Sequence, residues 1–418
     1  MSKIFSKQGD SPKAHVFVVT TWLLLILAGC VTLLSNLDRA ILTQLKTTFS
    51  NELGISNTDY SILVTSFMVP YIGMYFFVGK WVDKYGTRFC ITVFLSIISL
   101  STLLFSFAHG LWSMAAMRFI FGAASAGILP AIFVAVTKWF PVNVRATALA
   151  ITAPLGTLGT IIAPPFTALI TLKINWQMAF WIPGVAGLLL ALSWYIIDKS
   201  KPDQISEEKQ SQLKIVLQNK GLWYLFTARI ITDPFWFILQ FWQVAYFQEK
   251  LGLSLAQTAQ LLWIPPVGQS ILGIFLGWFS DHLIKRGMPA LKARAIILSG
   301  LIILTPCIFV LAWTHNVTLA VCMLLLVQFL GRSWLSGASL LASELVPSSI
   351  IASTISIMSA LAGLSSLVLN AVAGPLIDRF GYSLLFSITG LAFPLASYLI
   401  WKFYYNPKVV NYKNETTP

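Results

Sequence analysis

Charge is what this chain has least of. Asp, Glu, Lys and Arg make up 10% of its 418 residues, where soluble domains usually carry about 25%. With 57% hydrophobic residues, that scarcity excludes a soluble globular protein. Acid is scarcer than base, with 15 Asp and Glu against 28 Lys and Arg. The cysteines Cys30, Cys90, Cys307 and Cys322 lie in or beside apolar runs, at no metal-ligand spacing. They read as reduced helix residues. The four histidines are isolated, and no Ser/His/Asp set, metal cluster or phosphate loop is visible. The sequence therefore predicts no enzyme, no metal site and no cofactor. Strand-length alternation is also missing, which excludes a transmembrane barrel.

Long apolar runs fill the space that charge leaves. A chain of this length holds about a dozen spans of ~20 to 30 residues. The predicted helices are 16–46, 59–80, 90–108, 111–138, 144–170, 174–198, 221–248, 255–276, 291–314, 316–344, 349–376 and 381–403. No small-residue cleavage site follows the first run, so it reads as a retained helix, not a signal peptide. The only long charged interior stretch is 198–220. The expected organisation is an N-terminal six-helix bundle (1–198), a cytoplasmic linker (199–220), and a C-terminal six-helix bundle with a short tail (221–418). This is an all-α membrane protein with twelve transmembrane helices in two pseudo-symmetric bundles.

Basic residues orient it. With the N-terminus inside, 20 of the 28 Lys and Arg fall in cytoplasmic segments. Only Lys46, Lys173, Lys250 and Arg379 fall outside. That asymmetry puts both termini in the cytoplasm of a cell whose inner (plasma) membrane the chain crosses. The +13 net charge is then topological. It predicts a lipid bilayer as partner, not nucleic acid.

Four arginines remain inside the spans: Arg39, Arg118, Arg229 and Arg332. One charge at a bilayer centre costs roughly 3 kcal/mol on insertion scales. An ionisable residue there is a functional candidate by default. The most conspicuous is the Asn36-Leu37-Asp38-Arg39 sequence in the first span. Arg39 and Arg332 would place fixed positive charge near a cavity, and a guanidinium fork holds a carboxylate or phosphate bidentately. The plainer readings are a structural pair for Arg39 and an inter-helix role for Arg332. Asp38 and Arg118 both lie ~10 to 12 Å below the outer surface at 1.5 Å per residue. They can pair, either permanently or as a site where Asp38 exchanges Arg118 for a proton. Arg229 and Asp233 sit one helical turn apart and read as a mutually neutralising pair.

A weak repeat joins the halves. Gly79-Lys80-Trp81-Val82-Asp83-Lys84-Tyr85-Gly86-Thr87-Arg88 links the second and third spans. Gly277-Trp278-Phe279-Ser280-Asp281, followed by Lys285-Arg286-Gly287, links the eighth and ninth. Each carries Gly, Asp four residues later, then base and Gly. The spacing fits two halves on one plan.

The first of these segments resembles the loop signature of the major facilitator superfamily. The resemblance extends over all twelve spans. It implies two bundles around a central cavity working by alternating access, with Gly79, Asp83, Gly86, Arg88 and Asp281 as conformational gate residues. A narrower resemblance is to the anion:cation symporters, hexuronate transporter group. It rests on Asn36 to Arg39, Arg118-Phe119, Trp139-Phe140-Pro141, Arg145-Ala146, Gly159, Asn175 to Phe180, Thr232-Asp233-Pro234 and Trp334. It implies a sugar-contacting Tyr71 and aromatic floors at Trp236 and Trp334, although packing roles are the plain alternative for each. The chain also departs from that group. Ser125 stands where the group has a membrane Glu, and Arg332 and Gly337 stand where it tends to have amides. The predicted function is a secondary transporter of a small anionic solute, a sugar acid or other carboxylate. Its predicted coupling is to protons or another cation, as a monomer. An anion exchanger, an exporter and a solute sensor are the alternatives.

Overall fold

A computed structural model describes residues 12–140, 142–199, 220–346 and 351–404. Among them the chain is almost entirely helical, without a strand. The first half holds α1 (Pro12–Gln44), the short α2 (Lys46–Leu53), α3 (Asn57–Phe105), α4 (Leu111–Trp139), α5 (Val142–Lys173) and α6 (Trp176–Ile197). The second holds α7 (Lys220–Ala245), α8 (Leu255–Leu261), α9 (Ile264–Lys285), α10 (Ala290–Gly300), α11 (Thr305–Trp313), α12 (Val317–Ser343), α13 (Ile351–Gly390) and α14 (Ala392–Tyr404).

Backbone in a bilayer must satisfy itself, which is why apolar runs of this length become helices. Nine helical segments among the described residues are long and apolar enough to cross a membrane. The last, Thr354–Lys402, covers two predicted spans, divided at Gly381. The predicted span 59–80 lies within α3, and 221–248 runs along α7 into a π-helical turn, Tyr246–Lys250. Starts are set by side-chain caps where the chain re-enters helix. Asn175 accepts from the Met178 amide at 2.9 Å, and Asn316 from the Leu319 amide at 3.0 Å.

Several spans are less regular than their sequence suggests. The predicted helix 255–276 is two helices, parted just before Pro265-Pro266, and α9 runs on to Lys285. The predicted 291–314 contains a 3₁₀ turn, Leu301–Leu304, ahead of Pro306. Proline offers no N–H to the preceding turn, so the ladder breaks there. α3 holds two spans, broken at Gly86 with φ 81° and ψ 163°. Only glycine tolerates that backbone without strain.

Two compact units divide the chain: Met1–Leu42 with Val69–Ile205, and Thr43–Met68 with Ser206–Pro418. Residues 43–68 thus pack with the C-terminal residues. Most of the predicted linker lies outside the described residues. In the second unit α7 is central, touching α2, α12, α13 and α14. Trp242 of α7 is fully buried and donates to Asn370 of α13 at 3.2 Å. Tyr60 of α3 donates to the Phe241 carbonyl at 3.0 Å. Lys46 pairs with Glu249, which also accepts from the Tyr382 hydroxyl at 2.7 Å.

In the first unit α1 and α5 come together at Gly159, where an added Cβ would strike the Leu33 carbonyl. Gly79 has open space around it. Gly159→Leu is therefore expected to destabilise the protein by about 3 kcal/mol through overpacking, read as a lower thermal midpoint in detergent. Gly79→Ala should leave that midpoint within a degree or so of the parent, since surface changes rarely exceed about 0.5 kcal/mol.

Candidate functional site

The in-membrane charges of the first unit gather around the Asn36–Arg39 turn of α1. Asp38 is fully buried and accepts a 3.4 Å hydrogen bond from Thr102 of α3. Arg118 of α4 lies within electrostatic reach of it. The Arg118 guanidinium carbon sits 4.7, 5.2 and 5.7 Å from the ring centres of Phe105, Phe121 and Phe180. Aromatic faces attract a desolvated cation, so these rings and Asp38 together accommodate a buried arginine. Asp38 and Arg118, read as a possible pair from the sequence, are thus neighbours.

Arg39 follows Asp38 by about 100° around the helix and leaves that buried cluster. Its guanidinium carbon lies 4.9 Å from the centre of the Tyr71 ring. The Tyr71 hydroxyl is 2.8 Å from that of Tyr75, with the two rings edge to face. Arg39 and Tyr71, predicted separately, are therefore neighbours, and Tyr75 joins them. Tyr75 was missed by sequence reading, although it sits one turn from Tyr71 on the same helix face. Ser125, in place of the group's Glu, donates to the Phe121 carbonyl at 2.7 Å.

In the second unit, Arg332 of α12 holds its guanidinium carbon 6.0 Å from the centre of the Trp236 ring. Trp334 does not join them. Two residues turn a helix by about 200°, and Trp334 is buried with its ring edge to face with Phe393. Its packing alternative is the one its position matches. Arg229 and Asp233 form the expected pair: Nε lies 3.0 and 3.2 Å from the carboxylate oxygens. Arg229 also donates to Ser359 at 3.2 Å. A second polar feature had no sequence warning beyond two amides in apolar runs. Gln328 of α12 donates to Gln243 of α7 at 2.6 Å.

Arg88 donates to the Tyr195 carbonyl at 2.9 Å and stacks on the Tyr195 ring, which ties the loop to the end of α6. Asp281 is exposed near the end of α9. The side chains of Asp83 and Arg145, and the whole of Pro141, lie outside the described residues. No group of three His, Cys, Asp or Glu able to hold a metal occurs among the described residues.

Long apolar helices with paired interior charges, joined by a Gly–Asp–Gly loop, define a membrane transport fold. The model of the Major Facilitator Superfamily matches residues 28–367, and the chain belongs to that superfamily. It is 25% identical over 420 residues to a "Hexuronate transporter" of Escherichia coli strain K12, covering 94% of this chain and 96% of that one. It is 27% identical over 398 residues to a "Probable galactarate/D-glucarate transporter" of the same strain, covering 87% and 89%. Among solved structures it resembles a bacterial homologue of the human lysosomal transporter Spinster, with TM-score 0.77 and 16% identity, covering 95% of this chain and 98% of that one. That likeness speaks to the fold. The chain is thus a multi-pass membrane protein of a transporter superfamily, with sugar-acid transporters among its relatives.

The buried pair in α7 makes a prediction. Removing one partner of such a pair leaves an uncompensated charge and costs about 3–5 kcal/mol. Arg229→Met and Asp233→Leu should each lower the thermal midpoint strongly. The double variant should recover most of the loss, a non-additivity that a thermal-unfolding cycle in detergent would measure.

Proposed function

We propose that this chain is a secondary transporter of small organic anions, sugar acids foremost, working by alternating access with proton symport. The observation that carries this reading is that each unit holds an arginine inside a span beside an aromatic ring. Arg39 has Tyr71 and Arg332 has Trp236. A guanidinium there replaces the water that an anion loses on leaving solution. The adjacent ring supplies an apolar face for the carbon skeleton. A net cationic interior disfavours amines and cationic drugs. The relatives that carry hexuronates and aldarates support the same cargo class.

Coupling falls to Asp38. In the proposed cycle its carboxylate is ionised while it faces Arg118. It takes up a proton when the two separate, because burial disfavours an unpaired carboxylate and a neighbouring Arg favours a charged one. A specific observation favours a second reading, exchange of one anion for another. Ser125 gives its hydroxyl to a backbone carbonyl, so it contributes no titrating group where the related group has Glu. The Lys and Arg distribution supports both termini lying in the cytoplasm; an inner-membrane monomer is part of the same proposal.

The test is uptake of labelled hexuronates, hexonates, short dicarboxylates and phosphate esters into proteoliposomes, with and without an inward proton gradient. Gradient-dependent accumulation is expected for a sugar acid. Arg39→Lys and Arg332→Lys should each lower kcat/KM about 10- to 100-fold, the loss of one charge-assisted hydrogen bond. Asp38→Asn should abolish accumulation but retain proton-independent exchange. Uptake that ignores the gradient and needs a counter-anion inside would replace symport by exchange. A preference for cations over every anion would overturn the reading.

A further inference from the structure

The Gly79–Gly86 loop has a further counterpart, one that the half-to-half repeat does not include. Gly79-Lys80-Trp81-Val82-Asp83-Lys84-Tyr85-Gly86 reads glycine, three residues, Asp, base, aromatic, glycine. Gly374-Pro375-Leu376-Ile377-Asp378-Arg379-Phe380-Gly381 reads the same. The backbone agrees as well. Gly86 has φ 81° and ψ 163°, and Gly381 has φ 74° and ψ 175°. Each breaks one long helix into two spans. On the topology proposed above, the first copy faces the cytoplasm and the second faces outward.

The second copy is engaged with the start of α3. The two carboxylate oxygens of Asp378 accept from the Asn57 amide at 2.7 Å and the Thr58 hydroxyl at 2.8 Å. The Thr58 backbone N–H reaches the carboxylate at 3.3 Å. The first N–H groups of a helix have no partner within it, and a carboxylate there is favoured by the helix dipole. Asp378 therefore caps α3 from another helix. Gly374 allows the approach. Its amide donates to Ser61 at 2.7 Å, and any Cβ on it would strike the backbone of Asn57. The residue after the motif adds to the contact, since Tyr382 donates to Glu249, the partner of Lys46. Residues 46, 57, 58 and 61 all belong to the stretch that packs with the C-terminal residues.

We propose that Gly374–Gly381 is an outer latch. Asp378 and Tyr382 hold residues 43–68 in place while the outer mouth is shut, and these contacts must release before it opens. The inference rests on alternating access but not on any particular cargo. Contacts made in one state only set the population of that state. Removing them should favour the outward-open form.

Maleimide labelling of single cysteines in detergent tests this, on a chain with Cys30, Cys90, Cys307 and Cys322 replaced. Val64, fully buried one to two turns beyond Asn57, reports the outer side as Val64→Cys. Ser336, exposed one turn beyond Arg332, reports the inner side as Ser336→Cys. Asp378→Ala is expected to speed labelling at position 64 by about 10-fold, the equivalent of one released hydrogen bond, and to slow it at position 336. Asn57→Ala combined with Thr58→Ala, which removes the partners instead, should do the same. Asp83→Asn in the cytoplasmic copy should shift both rates the opposite way. Unchanged rates at both reporters would overturn the latch. Faster labelling at both would also overturn it, because that marks a loosened fold and not a shifted equilibrium. Labelling requires no solute, so a failure of the uptake experiment would leave this result readable.

Discussion

A charge inside a membrane span must have its partners built in, and the interior of this protein is organised around that constraint. Four arginines stand in apolar helices. Arg229 meets Asp233 and the hydroxyl of Ser359. Arg118 lies among three phenylalanine rings with Asp38 in reach. Arg39 and Arg332 each lie beside an aromatic ring, Tyr71 and Trp236. Cation–π attraction uses the face of a guanidinium and hydrogen bonding uses its rim, so a ring neighbour and a polar neighbour can be accommodated together.

Much of this was legible in the chain because membranes make sequence patterns stark. Apolar runs gave the helices, since no other open backbone survives in hydrocarbon. The interior charges stood out against a background of 10% charge. The Arg229–Asp233 pair followed from a four-residue spacing. Other features left no pattern to find. Whether a Trp faces a cavity or a core depends on helix rotation, and Trp334, two residues from Arg332, is turned into the packing against Phe393. The interruption between α8 and α9 was signalled by Pro265-Pro266, which lie well inside the predicted span 255–276, but the apolar residues on either side of them mask the break. The Gln243–Gln328 bond joins residues far apart in sequence, and nothing local in either announces the other.

Asp38 and Arg39 show how one residue of spacing separates two environments. Adjacent residues on a helix point about 100° apart. Asp38 turns into the buried cluster of Thr102 and Arg118, while Arg39 reaches Tyr71. In the proposed cycle Arg39 is the binding charge and Asp38 the titrating one, both on one turn of one helix. Any rotation or tilt of that turn moves both, so on that proposal cargo at Arg39 would be felt at Asp38 without a relay of intervening residues.

The two Gly–Asp–Gly breaks extend this economy to the backbone. A glycine at φ near 80° lets a helix end and another begin with almost no connecting loop. The acid before it is then carried on a rigid helix end and not on a mobile segment. A rigid acid aimed at a helix start makes its contacts all at once or not at all. The observed contacts have that character: Asn57, Thr58 and Ser61 meet Asp378 and Gly374 along a single face of α3. A hydrogen-bonded cap of this kind is worth little to a fold with so much apolar burial, since a single net bond contributes only about 1 kcal/mol. It is large for an equilibrium between two conformers separated by a few kcal/mol, and that comparison of magnitudes is why a set of exposed polar contacts at a helix end can govern which state is populated while leaving the helices themselves intact.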